Sequence, residues 1–169
     1  VAVRAPLRDE LPLLQAIGVA AGRRFAEVGL DAVAADPPHE LAALEAWCKA
    51  GRAWVSTDRD GHPVGFAVAD LVDGTAHLEE LSVLPEMNGK GHGMALLRAV
   101  ESWARRKGFP SVTLTTFRDV PFNRPFYEHR GYRVLAEEAW TPGLVERRAE
   151  ETAAGLDPDQ RVVMAKALG

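Results

Sequence analysis

The sequence predicts an α+β fold in which helices flank a central mixed, mostly antiparallel, twisted sheet. Three observations predict it. Between Ala53 and Leu84, three β-rich runs are separated by Asp60-Gly61 and Asp73-Gly74, dipeptides that favour tight hairpin turns. From Gly91 an amphipathic stretch leads into Ser111–Thr116, a β-branched run, so strand, helix and strand should form a right-handed parallel crossover. Beyond Thr116, helical and extended stretches alternate as far as Ala167.

Taken in order, Ala2–Arg4 reads as a first strand before Pro6. Asp9 is placed to cap a helix, with Pro12 tolerable in its first turn. Leu14, Ile17, Ala21, Phe25 and Val28 recur at spacings of three and four, giving that helix an apolar face that Gly29 terminates. Asp36-Pro37-Pro38 makes the next stretch a loop or a broken helix. His39–Ala50 reads as a second helix, with Leu41, Leu44, Trp47 and Cys48 inward. Ala53–Thr57, Pro63–Leu71 and Thr75–Leu84 are the three meander strands.

The helix after Gly91 carries Leu96, Leu97, Val100, Trp103 and Ala104 on one face and Arg98, Glu101, Arg105 and Arg106 on the other. Gly108 suits its C-terminal end. Pro121–His129 is a short helix candidate, Tyr132–Ala136 a strand, Pro142–Ala154 a charged helix and Arg161–Ala167 a last strand.

Composition narrows the function. The 169 residues suit one domain, 1–169, with a sizeable core. A net charge of −4 argues against general nucleic-acid binding. The lone cysteine, Cys48, excludes an internal disulfide, and beside Trp47 it reads as a buried packing residue. His39, His62, His92 and His129 share no metal-ligand spacing, so no metal is expected. No apolar run reaches the roughly 20 residues of a membrane span. Val1–Leu14, with Arg4, Arg8, Asp9 and Glu10, is unlike a secretory leader, and a cytoplasmic location is the expectation.

The stretch Leu78–Gly93 carries the chemistry. It runs from a strand through Pro85 into Gly89, Gly91 and Gly93 and then directly into a helix. The first N–H groups of a helix lack intrahelical partners and sit at the positive end of its dipole. Glycines let the backbone turn with φ > 0 and approach a phosphate closely. The dinucleotide fingerprint fails at Met94, and the P-loop fails because Gly91 follows Lys90 where Ser or Thr would hold magnesium.

The remaining pattern, Asn88-Gly89-Lys90-Gly91-His92-Gly93, resembles the Q/R-x-x-G-x-G/A signature of the GNAT superfamily, the acyl-CoA-dependent N-acetyltransferases, with Asn88 in place of Gln or Arg. Leu81-Ser82-Val83-Leu84-Pro85 looks like that family's L-x-V-x-P lead-in, and Asn123…Phe126-Tyr127-x-x-x-Gly131-Tyr132 resembles its helix-and-strand segment. The likeness covers roughly Ala53 to Leu135. It implies a GNAT-like domain with acetyl-CoA as cosubstrate. On this resemblance Leu81, Ser82, Val83, Asn88, Gly89, Lys90, Gly91, His92, Gly93, Met94, Asn123, Phe126 and Tyr127 belong to the coenzyme site. It further implies an oxyanion near the Val83 N–H, a thiolate met by Tyr127, and a glutamate base on the motif strand.

Glu80 and Glu79 are the candidates for that base, Glu80 first because Leu81 and Val83 look like core; His77 stands outside them. The implied acceptor is a small-molecule or peptide amine. Asp70, Asp73, Glu79, Glu80 and Glu86 would favour a cationic one, and Gly29–Pro38 and Trp140–Leu144 would wall it. A homodimer stays open, as do two other readings: a non-catalytic acyl-CoA sensor of the same fold and a nucleotide-binding protein.

Overall fold

The computed structural model describes all residues, 1–169. It is α+β, with seven strands in the hydrogen-bonded order β1-β2-β3-β4-β5-β7-β6. These are β1 (Ala2–Arg4), β2 (Ala53–Thr57), β3 (Pro63–Val72), β4 (Thr75–Val83), β5 (Ser111–Phe117), β6 (Arg133–Val134) and β7 (Arg161–Ala167). The helices are α1 (Leu11–Gly22), α2 (Asp31–Ala34), α3 (Leu41–Lys49), α4 (His92–Arg106), α5 (Arg124–Glu128) and α6 (Pro142–Ala153). The sheet is mixed, as expected: β4 and β5 are parallel, while β1–β2, β2–β3, β5–β7 and β6–β7 are antiparallel.

By compactness the chain forms two units. The first comprises Val1–Asp70 with Leu78–Trp103. Its sheet portion has helices on both faces, which explains why β3 is buried along most of its length. On one face Leu11, Leu14 and Ile17 of α1 and Leu44 of α3 pack with Ala53, Val55, Phe66 and Val68. Each fully buried leucine or isoleucine contributes about 1.5–3 kcal/mol. On the other face α4 closes against the sheet at Gly65, where a Cβ would lie 3.2 Å from Leu96 and only 2.7 Å from Ser56 Oγ. Trp103 of α4 meets Trp54 of β2 edge-on, with ring centroids 5.5 Å apart.

Four expectations need correction in this unit. Asp9 does not cap α1: a 3₁₀ turn over Arg8–Glu10 precedes it, and Glu10 is the N-cap residue. The Glu10 carboxylate instead accepts from the Leu7 N–H and from Arg4, which holds its pKa below the ordinary value. Past Gly22 the helix tightens into a 3₁₀ turn, leaving Val28 exposed, and ends at Gly29 with φ +79°. Leu41 is exposed because it lies at the first position of α3, ahead of the buried stripe that begins at Leu44. Glu101 is buried within α4 rather than solvated.

The second unit comprises Leu71–His77 with Ala104–Gly169. Asp73 and Gly74 both have positive φ, as a two-residue hairpin turn demands. Here α6 places Leu144 against Val72 and Val163, with Leu135 and Trp140 around them. Arg161 of β7 and Thr115 of β5 both bind Glu151 of α6. Strand β6 is shorter than Tyr132–Ala136, because from Ala136 the chain turns into a 3₁₀ segment over Glu137–Ala139.

Candidate active site

The glycine loop takes the local form its sequence demands. After β4, Pro85–Met87 makes one 3₁₀ turn, with the Met87 N–H donating to Leu84 O at 2.9 Å. Gly89 and Gly91 then adopt φ +76° and +89°, a region that other residues rarely enter. Helix α4 begins at His92, and the Gly91 carbonyl accepts from the Ala95 N–H at 3.0 Å.

Could this loop hold a pyrophosphate? A Cβ at Gly89 would meet nothing within 4 Å, and one at Gly91 only Val1 Cγ2 at 4.0 Å, so the backbone there is open. Asn88, Gly89, Lys90 and Gly91 are exposed, Gly93 and Met94 half-buried. Lys90 adds a cation beside the positive end of a fifteen-residue helix. His92 is buried, its Nδ1 has no protein partner, and burial, then the Val1 amino group, then the Lys90 charge push its pKa down. Open backbone, a helix start and a cation fit the phosphates of coenzyme A.

Strand β4 supplies the carboxylates. Glu80 and Ser82, two residues apart, share a face, and the Ser82 hydroxyl donates to Glu80 Oε2 at 2.7 Å. Leu81 and Val83 are only half-buried, so the reason given for ranking Glu80 first does not hold. Glu80 is distinguished instead by what surrounds it. Its Oε1 lies 2.7 Å from Nε2 of His39, just ahead of α3, and Oε2 lies over Gly18 of α1. The His39 nitrogen is shielded from solvent, and the contact is close without being a fully aligned hydrogen bond; it is an ion pair when the ring is protonated. The Glu80 carboxylate raises the His39 pKa; burial opposes this, and Glu79 and Asp70 add to it.

His39 is held in turn. Its ring stands edge-on to Trp47 at 5.0 Å, and its carbonyl accepts from Gln15 Nε2 at 2.9 Å. Trp47 Nε1 donates to Asp70 Oδ1 at 2.7 Å, with Arg52 beside the same oxygen. The sequence reading passed over His39, having weighed it only as a metal ligand, and passed over Gly18. The signal for Gly18 was a glycine inside a helix, where it costs about 1 kcal/mol against alanine and commonly marks a close approach.

In the second unit, Tyr127 of α5 is buried, in edge contact with Phe126 at 5.1 Å and Tyr132 at 5.7 Å. Phe126 carries the Arg130 guanidinium over its ring at 3.8 Å. Asn123 Oδ1 accepts from the Phe117 N–H at 3.4 Å, tying α5 to the end of β5. His77 is buried, its Nδ1 2.8 Å from Thr113 Oγ1. Asp73 binds the Gly143 N–H at 2.7 Å, a fastening for α6. Burial raises the Cys48 pKa, which keeps its thiol protonated.

Known proteins share this architecture. Residues 21–132 match the model of the acetyltransferase (GNAT) family. N-acetylglutamate synthase from Neisseria gonorrhoeae, solved with coenzyme A and N-acetyl-glutamate, is similar over 99% of this chain and 35% of that one (17% identity, TM-score 0.73). This chain thus spans about a third of that protein. A GNAT acetyltransferase from Staphylococcus aureus is similar over 99% of both chains (13% identity, TM-score 0.75). The ribosomal-protein-S18-alanine N-acetyltransferase of Escherichia coli is similar over 99% of this chain and 94% of that one (16% identity, TM-score 0.67). At these identities the structures speak to fold, while the family match takes in well over half of the chain. The chain belongs to the acetyltransferase (GNAT) family.

Proposed function

We propose that residues 1–169 act as one domain that moves the acetyl group of acetyl-CoA directly to a primary amine within a ternary complex. The observation that carries this is Glu80: a half-buried carboxylate on the motif strand, gripped by Ser82 and His39 and close to α1. An alkylammonium has a pKa near 10.4 and no free lone pair, so it must lose a proton before it attacks. Glu80 takes that proton in this reading, with Glu79 as the second carboxylate of the strand.

The open backbone at Gly89 and Gly91, the helix start and Lys90 support coenzyme binding through Asn88–Met94, and by family likeness Leu81, Ser82 and Val83 face the acyl arm. The Val83 N–H stabilises the carbonyl oxygen as charge builds on it. Tyr127 assists the departing thiolate, with Asn123 and Phe126 shaping its surroundings; this rests on the family likeness of the segment. The carboxylates Asp70, Glu79 and Glu80 favour a cationic acceptor, because each adds negative potential to the ground around His39.

The experiment has two arms. A thermal-shift panel with acetyl-CoA, CoA, ATP and NAD should stabilise the protein only with the two coenzyme A ligands. Turnover is then read on spermidine, a lysine peptide and an alanine-terminated peptide. Binding without turnover on any amine identifies a sensor, and stabilisation by ATP or NAD alone a nucleotide-binding protein; either overturns the proposal. With an accepted amine, Glu80→Gln should lower kcat/KM by roughly 10²–10⁴ with acetyl-CoA affinity nearly unchanged. A loss confined to KM would mean that Glu80 only attracts the acceptor.

A further inference from the structure

We propose that His39 is the positioning residue for Glu80 and the store for the acceptor's proton, so that Glu80 and His39 work as one acid–base unit. This rests on Glu80 being the base. The geometry carries it: Oε1 of Glu80 lies 2.7 Å from His39 Nε2, while Ser82 holds the other oxygen. A carboxylate acting alone is a weak base for an ammonium. A carboxylate that can hand its proton to an imidazole is a better one.

The surroundings of the ring suit that task. The charged groups facing it are Glu80 and Glu79 from β4 and Asp70 from β3, and these favour an imidazolium. From α3, Trp47 fixes the ring by edge contact, and from α1, Gln15 holds the backbone beneath it. Asp70 is itself anchored by Trp47 and Arg52, so its field is fixed. Catalytic contacts are commonly imperfectly aligned before substrate binds, so an approach of 2.7 Å between Oε1 and Nε2 of a neutral ring is a competent starting geometry.

The protons balance. One N–H bond of the acceptor ammonium breaks, its proton passes to Glu80, and Glu80 passes it to Nε2 of a neutral His39. The neutral amine forms the N–C bond, the C–S bond breaks, and the sulfur leaves as thiolate. The attacking nitrogen loses its second proton, and the thiolate takes one up. The net release of one proton per amide formed leaves through His39, whose side chain is 31% exposed.

This unit needs His39 neutral at the start of each turn. Its imidazolium is favoured by the carboxylates, so the acid limb of kcat/KM should lie above the ordinary histidine value of about 6.5. In His39→Gln that limb should move to lower pH. The fall in kcat/KM on the plateau should be smaller than for Glu80→Gln, and stabilisation by acetyl-CoA should stay at the wild-type level.

The test is the pH profile of wild type, His39→Gln and Glu80→Gln on the best amine of spermidine, the lysine peptide and the alanine peptide. It is paired with an NMR titration of the His39 ring in wild type and Glu80→Gln. The expected result is a lowered acid limb in His39→Gln and a lowered His39 pKa in Glu80→Gln. An unmoved limb in His39→Gln beside a crippled Glu80→Gln overturns the role of His39 alone, as does a His39 that titrates identically in both proteins. Undiminished activity in Glu80→Gln, or no amine acetylated by wild type, overturns the reading on which it rests.

Discussion

Gly18 of α1 lies so close to Glu80 of β4 that a Cβ on Gly18 would sit 3.2 Å from Oε2, and 3.7 Å from the Phe66 ring. A glycine there costs helix stability, yet it leaves the carboxylate room between α1 and Ser82. Gly18→Ala should therefore separate stability from activity. Helix propensity favours alanine by up to about 1 kcal/mol, which the tight contact partly offsets. The melting temperature should hold or rise while kcat/KM falls several-fold on the order of 10. Calorimetric melting and steady-state kinetics on one preparation check this; full activity would mean that the position of Glu80 is not critical.

The glycine loop gives a sharper test. Gly91 has φ +89° and little around it, so Gly91→Val is strained by its backbone rather than by collision. It should abolish acetyl-CoA binding while the domain still folds, since a β-branched side chain resists that φ and covers the open backbone. Unchanged calorimetric affinity in a folded mutant would remove the phosphate site from Gly89–Gly93.

Tyr127→Phe keeps the ring that packs edge-on to Phe126 and Tyr132 and loses only the hydroxyl. Stability should change little. If the hydroxyl assists the thiolate, kcat falls more than coenzyme affinity, and the deficit shrinks with a donor whose thiol is more acidic. Full activity with acetyl-CoA would make Tyr127 a packing residue.

The His39–Glu80 pair also predicts a pH dependence of stability. The His39 pKa is raised in the folded chain, so the folded state binds the proton more tightly than the unfolded one. The pair's contribution is therefore complete below the unfolded value of about 6.5 and is lost as pH rises through the raised folded value. Urea denaturation of wild type and His39→Gln should show a stability gap that narrows across that window. A constant gap would falsify the link.

Local chemistry determined a great deal here. The hairpin at Asp73-Gly74, the left-handed glycines at 29, 89 and 91, the β-branched run of β5 and the apolar stripe of α4 each depend on backbone preference or periodicity within a few residues. For the same reason the strands β1, β2 and β7 have the bounds that the sequence predicts. The glycine-loop pattern, likewise a contiguous stretch, was enough to point to the family.

What only the tertiary structure decided concerns residues far apart in the chain. His39 and Glu80 are separated by 41 positions and meet because α3 and β4 are brought together in the first unit. Gly18 matters because of Glu80, and Asp70 is anchored by Trp47. Burial of Glu101 and exposure of Leu41 reversed what helical periodicity predicted, because a face is inward only relative to what packs on it. Side-chain pairing is a property of two surfaces, and a linear pattern specifies one surface at a time.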